Sequence, residues 1–152
     1  MTTNTITQTI DTTTVQNQVQ ETLQYSDSRQ AAQSIFDILT QTYKDIVEAP
    51  SEFQEQPLSA SALKDPEARR YTAQDMDLMR NRLKEKAQRG EVFDQILYPI
   101  TNEIKNSMHY EVFKTLVAKI LAKQEQAYEA KNEYVYVYSR HTVSEKIRSI
   151  IK

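Results

Sequence analysis

Apolar side chains recur at three- and four-residue steps along most of the chain, the spacing that places them on one face of a helix. The pattern is clearest over 27–48, where Ala32, Ile35/Phe36, Leu39, Tyr43 and Ile46/Val47 share a face. Asp27 or Ser28 supplies an N-cap, and Pro50 follows the last periodic residue, where a helix cannot continue. A second helix is predicted from Thr72, with Asp75 completing a capping box, a narrow stripe of Met76, Met79 and Leu83, and Gly90 as its C-cap. A third, over 91–106, carries Val92/Phe93, Ile96/Leu97, Ile100 and Ile104, with a kink expected at Pro99. A fourth, over 108–131, carries Val112/Phe113, Leu116/Val117, Ile120/Leu121 and Tyr128.

Two segments break the pattern. Residues 133–139, EYVYVYS, alternate aromatic and β-branched side chains, which in isolation signals a strand. With no second strand to pair, a helix extension or an extended cover segment is the better expectation. Thr142 then caps a short final helix over 143–151. Residues 49–72 hold Pro50, Pro57 and Pro66, begin with Glu48, Glu52 and Glu55 close by, and predict a long connection with a helical turn at 60–63.

At the N-terminus, nine of the first 22 residues are threonine, and apolar mass is too sparse to offset the entropy of ordering. Residues 1–24 therefore read as a disordered or frayed tail, in which Val15, Val19 and Leu23 offer at most a short amphipathic helix. The remaining 25–152 form one helical domain. The fold expectation is an all-α, single-domain bundle of five to seven helices.

Composition sharpens this by exclusion. A single glycine among 152 residues rules out the glycine-rich loops that let backbone N–H groups approach phosphates, and disfavours tight hairpins. The absence of cysteine removes disulfides, thiolate metal sites and cysteine nucleophiles. A net charge of −2 provides no global basic field for nucleic acid. No apolar run has the roughly 18–20 residues needed to span a bilayer. The first positive side chain is Arg29, so no basic leader is evident and a cytoplasmic location is expected.

Candidate chemistry is sparse. His109 lies at a helix start and reads as a boundary residue, while His141 and Glu145 are a lone i,i+4 pair, short of the three or four ligands zinc requires. Neither HExxH, ExxH nor GxSxG occurs, and Tyr134, Tyr136 and Tyr138 lack the interleaved cations of a base-stacking surface. The chain is expected not to be an enzyme, and no cofactor or metal is implied. Arg80, Arg82, Lys84, Lys86 and Arg89 form a basic helix end, explained by the macrodipole of a helix closing at Gly90.

One longer pattern is familiar. AAQSIFDILTQTYKDIVEAPSEF (31–53) followed by VFDQILYPITNEIKNSMHYEVFKTLVAKI (92–120) resembles the regulator of G-protein signalling (RGS) homology domain. Ala32, Ile35/Phe36, Ala49-Pro50 and Glu52 match that family's A..IY..YI helix and its AP.E turn. Phe93-Asp94, Ile100, Ile104, Tyr110 and Phe113 match its later helix pair with a one-residue offset. The likeness spans roughly 90 residues, largely core and turn positions. The family's G-protein-contacting asparagine falls on Gln54, and its charged contacts fall on Met108 and Val112. The resemblance thus implies a helical bundle without an intact GTPase-activating surface.

The functional expectation is a non-catalytic regulatory or protein-interaction module with a protein partner, self-association being compatible. Its candidate surface comprises Glu52 and Gln54 in the acidic turn and Asn106, Met108, His109 and Glu111 in an exposed helix junction, loops that the resemblance would bring to one end. Two alternatives are an anionic surface, lipid or nucleic acid, bound through Arg80, Arg82, Lys84, Lys86 and Arg89, and a bundle holding a small apolar ligand.

Overall fold

A computed structural model describes residues 12–50, 53, 58–59 and 71–151. It is an all-α, single-domain bundle of five described helices: α1 (Thr12–Leu23), α2 (Ser28–Val47), α3 (Ala73–Lys105), α4 (Tyr110–Glu129) and α5 (Tyr138–Ile151). No strand occurs among the described residues.

Helix α2 is the hub, packing against each of the other four. Its sequence suits that position: Ala31, Ala32, Ile35, Phe36, Leu39, Tyr43 and Ile46 are all buried. Thr40 and Thr42 are buried too, and their hydroxyls donate to the carbonyls of Phe36 and Ile38 four residues back, at 2.9 and 2.8 Å. Asp27 is the N-cap, accepting from the amides of Arg29 and Gln30. The core closes around α2 with Phe93, Ile96, Leu97, Ile100 and Ile104 of α3, Phe113 and Val117 of α4, and Val143, Ile147 and Ile151 of α5.

Residues 12–23 form a helix packed on the bundle. Val15 and Val19 are buried in α1, and Val19 is wholly enclosed. Two valines and Leu23 at helical spacing suffice because α2 and α3 provide the apolar surface that the segment lacks by itself. Residues 1–11 lie outside the described residues, as do 54–57 and 60–70 of the long connection.

The expected break at Gly90 is absent. Residues 73–105 form one helix of 33 residues, roughly 50 Å long. Glycine inside a helix costs only about 1 kcal/mol relative to alanine, far less than the five buried apolar side chains from Phe93 to Ile104 contribute. The Thr72–Asp75 capping box forms with both of its bonds. Pro99 lies within the helix at an exposed position.

Continuity inverts the amphipathic reading of the first half of α3. At about 100° per residue, Met76, Met79 and Leu83 point roughly 80° away from the direction shared by Phe93, Ile96, Leu97, Ile100 and Ile104. When the latter face the core, the former lie at its flank, where exposure is decided by which neighbours cover them. Met76 is 50% exposed and Leu83 68%, while Asp75, Glu85 and Arg89 turn inward and are buried.

Helix α4 ends with Lys131 in the left-handed region, φ 54°. The amides of Lys131 and Asn132 donate to the carbonyls of Tyr128 and Ala127, closing a Schellman turn. Gln124, buried, then clamps the 130–137 connection: its amide donates to Val135 O at 3.1 Å and its oxygen accepts from Val137 N at 2.6 Å. Helix α5 starts at Tyr138, five residues before the expected 143, so Thr142 is an interior residue and not a cap. Within the alternating segment, 133–135 form a turn, 136–137 have no regular structure and 138–139 open α5, so no strand forms and α4 is not extended.

Candidate functional site

The inverted face of α3 borders the site. A groove of about 540 Å³ runs between the C-terminal end of α2, the first half of α3 and the start of α5. Tyr43 and Val47 come from α2, Met79 and Leu83 from α3, and Tyr138 from α5.

Tyr43 is placed by packing outside the groove. The Tyr43 ring is buried edge-on against Phe93, centroids 5.1 Å apart at 87°. Its hydroxyl shares hydrogen bonds with Tyr138 and Thr142, and burial, reinforced by the neighbouring Tyr138, pushes its pKa up to about 12. Tyr43 is therefore protonated at neutral pH and acts as a hydrogen-bonding group, not a base.

Arg89 and Glu85 lie deeper, both buried, with Nη2 3.2 Å from Oε1. The same guanidinium donates to the carbonyls of Ala49 and Pro50, the latter at 3.1 Å. Arg89 thus ties the chain leaving α2 to the middle of α3 and places a cation beside the negative end of the α2 dipole. Arg89 Nε is buried without a hydrogen-bond partner among the described residues. On the rim, Arg82 donates through Nε to Phe53 O at 2.8 Å, and Lys86 is exposed.

The five basic residues named from the sequence do not make one patch. Arg89 is a buried structural partner, Arg80 pairs with Asp77, and only Lys84 and Lys86 are exposed without a described ion pair. The macrodipole explanation also lapses, since residues 80–89 occupy the middle of α3. An anionic surface read through all five side chains is not available in this arrangement.

The partner-binding residues named from the sequence are dispersed as well. Glu52 and Gln54 lie outside the described residues. Asn106 and Met108 are exposed in the turn after α3. His109, expected in an exposed junction, is completely buried: Nδ1 is 2.7 Å from Ser28 Oγ and Nε2 is 3.1 Å from Leu23 O. A carbonyl only accepts, so Nε2 carries a proton, and in the neutral ring Nδ1 accepts from Ser28. His109 occupies the N-cap position of α4 but makes no side-chain cap bond, because its ring is committed to the α1–α2 corner.

That contact also fixes where the junction lies. Residues 106–111 sit at the N-terminal end of α2, whereas Ala49-Pro50 leave its C-terminal end, 20 residues or roughly 30 Å away. Residues 106–111 and Ala49-Pro50 therefore lie at opposite ends of α2. Glu111 lines a separate groove of about 610 Å³ with Arg29, Val112, Leu116 and Lys119.

His141 stacks edge-on against Tyr136, accepts or donates at 3.1 Å to its hydroxyl, and lies 3.9 Å from Glu145. No group of three or more potential ligands is placed to hold a metal among the described residues, and no described helix is long and apolar enough to cross a membrane.

Fold and groove together define an all-α bundle whose cleft is lined by apolar side chains, by Arg82, Lys86 and Arg89 and by Glu48 and Glu85, next to an exposed helix stripe. Comparison with protein-family models, curated proteins and solved structures finds no match for this chain.

Proposed function

We propose that this protein is a non-catalytic interaction module and that the groove between α2, α3 and α5 is its docking surface. The observation that carries the proposal is the exposed stripe of Met76, Met79 and Leu83 continuing into a cleft walled by Tyr43, Val47 and Tyr138. Three large apolar side chains in a row, facing water while charged residues of the same helix are buried, form a contiguous patch of the kind that marks an interaction site. Methionine, tyrosine and arginine are also the residue types enriched at protein interfaces. An RGS-type bundle stripped of its GTPase-activating contacts is the form of this proposal suggested by the sequence resemblance, though the groove reading does not depend on it.

The test is affinity capture from the native host with the full chain and with a Leu83→Asp variant. Proteins retained by the wild type and lost by the variant are the expected result. An identical set captured by both rejects the groove as the docking surface.

A further inference from the structure

The groove also carries a charge pattern, and we infer from it the kind of partner it takes: an acidic amphipathic helix of another protein. This inference rests on the docking reading above and adds the chemistry of the occupant.

The backbone geometry comes first. Met76, Met79 and Leu83 are spaced three and four residues apart, so they form a ridge along α3 that the ridges of a second helix can straddle. No sheet edge exists among the described residues to receive an extended strand. A helix laid in the cleft meets Met79 and Leu83 on one side and Val47, Tyr43 and Tyr138 on the other, the usual arrangement of helix-in-groove recognition.

Charge then selects among helices. Over residues 73–90 there are five basic and three acidic side chains, within a chain of net charge −2. Two of those three acids face inward: Asp75 is held in its capping box and Glu85 by Arg89. Asp77 alone remains on the outer surface, against Arg80, Lys84 and Lys86, with Arg82 on the rim at the same level. The α2 wall adds one acid to the groove, Glu48, against Arg82 and Lys86 on the α3 side, so the surface flanking the apolar ridge keeps a net positive charge on a protein of net charge −2. Such complementarity chiefly sets partner choice and association rate. It also disfavours a second copy of this chain, because antiparallel pairing through the same ridge would set the two basic clusters near each other.

The experiment uses the full-length protein and two fluorescein-labelled 18-residue synthetic helices with the same leucine stripe, one bearing glutamate on its polar face and the other lysine. Fluorescence anisotropy is expected to show saturable binding of the glutamate peptide, at least tenfold tighter than the lysine peptide. Affinity should fall as salt rises from 50 to 300 mM, be lost in Leu83→Asp, and shift toward the lysine peptide in Lys86→Glu. Equal affinity for both peptides overturns the acidic partner while leaving the docking surface intact. Binding of neither peptide overturns the inference, and the docking surface is then judged by the capture experiment alone. Leu83-dependent binding only to phosphatidylserine-containing vesicles, or Leu83-dependent dimerisation in analytical ultracentrifugation, overturns it in favour of that occupant.

Discussion

The Arg89 guanidinium lies 3.2 Å from the Glu85 carboxylate with both side chains buried, one turn apart on the inward side of α3. A charge pair in that position is costly to break, because the remaining partner is left buried and uncompensated. Arg89→Ala also removes the donors to Ala49 O and Pro50 O, leaving the end of α2 untethered. The variant should lose about 3–5 kcal/mol in urea denaturation. Replacing both residues with leucine and methionine should cost clearly less than Arg89→Ala alone, since no unpaired charge remains. A loss below about 1 kcal/mol for Arg89→Ala would mean that the pair is solvated.

His109 and its neighbour Met108 should separate sharply. His109→Ala empties a fully enclosed site and strips partners from Ser28 and Leu23, so a loss of about 2–3 kcal/mol is expected. Met108, 74% exposed, should tolerate alanine within about 0.5 kcal/mol. Thermal denaturation of the two single variants decides this, and equal effects would contradict the burial of the imidazole.

Two backbone positions offer stabilisation. A Cβ at Gly90 would meet nothing within 4 Å, so Gly90→Ala should gain about 1 kcal/mol if α3 runs unbroken. Were Gly90 a C-cap, the same change would destabilise. Lys131 occupies the left-handed region at the Schellman turn, where glycine is free of the Cβ penalty, so Lys131→Gly should gain about 1 kcal/mol. Chemical denaturation midpoints measure both.

These positions show what was legible in the sequence. The core faces of α2 and α4 were readable because their apolar positions stay in one phase over several turns, and the Thr72–Asp75 box because it is local. A lone glycine after a basic run has two local meanings, C-cap and tolerated interior residue. The choice is made by Phe93 to Ile104 packing against α2, a non-local term. A continuous helix sets Met76, Met79 and Leu83 about 80° off the buried direction, at the flank of the core face, and their exposure depends further on which neighbours cover that flank, which spacing does not reveal. His109 was correctly placed at a helix start. Its partners are 81 and 86 residues away, beyond the reach of any spacing argument.

Two titrations follow from the geometry with opposite signs. Asp75 accepts from the Ser59 hydroxyl and amide and from the Thr72 amide, which lowers its pKa from 3.8 to about 2. A depressed carboxyl contributes stability above pH 3.8 and loses it as pH falls toward 2. The Tm advantage of the wild type over Asp75→Asn should therefore narrow across that window. Tyr43 behaves conversely: a pKa raised from 10.0 to about 12 contributes fully below pH 10 and is lost as pH rises through 12. Absorbance at tyrosinate wavelengths should show a late-ionising component that disappears in Tyr43→Phe.

The unfolding free energy of Leu83→Asp tests the central claim most directly, that α3 is continuous and leaves its Met76–Met79–Leu83 ridge uncovered. At 68% exposure, the substitution should change stability by no more than about 0.5 kcal/mol in urea denaturation. A loss of about 3 kcal/mol or more, the cost of burying an unpaired carboxylate in a core, would show that the ridge faces inward and would contradict the account.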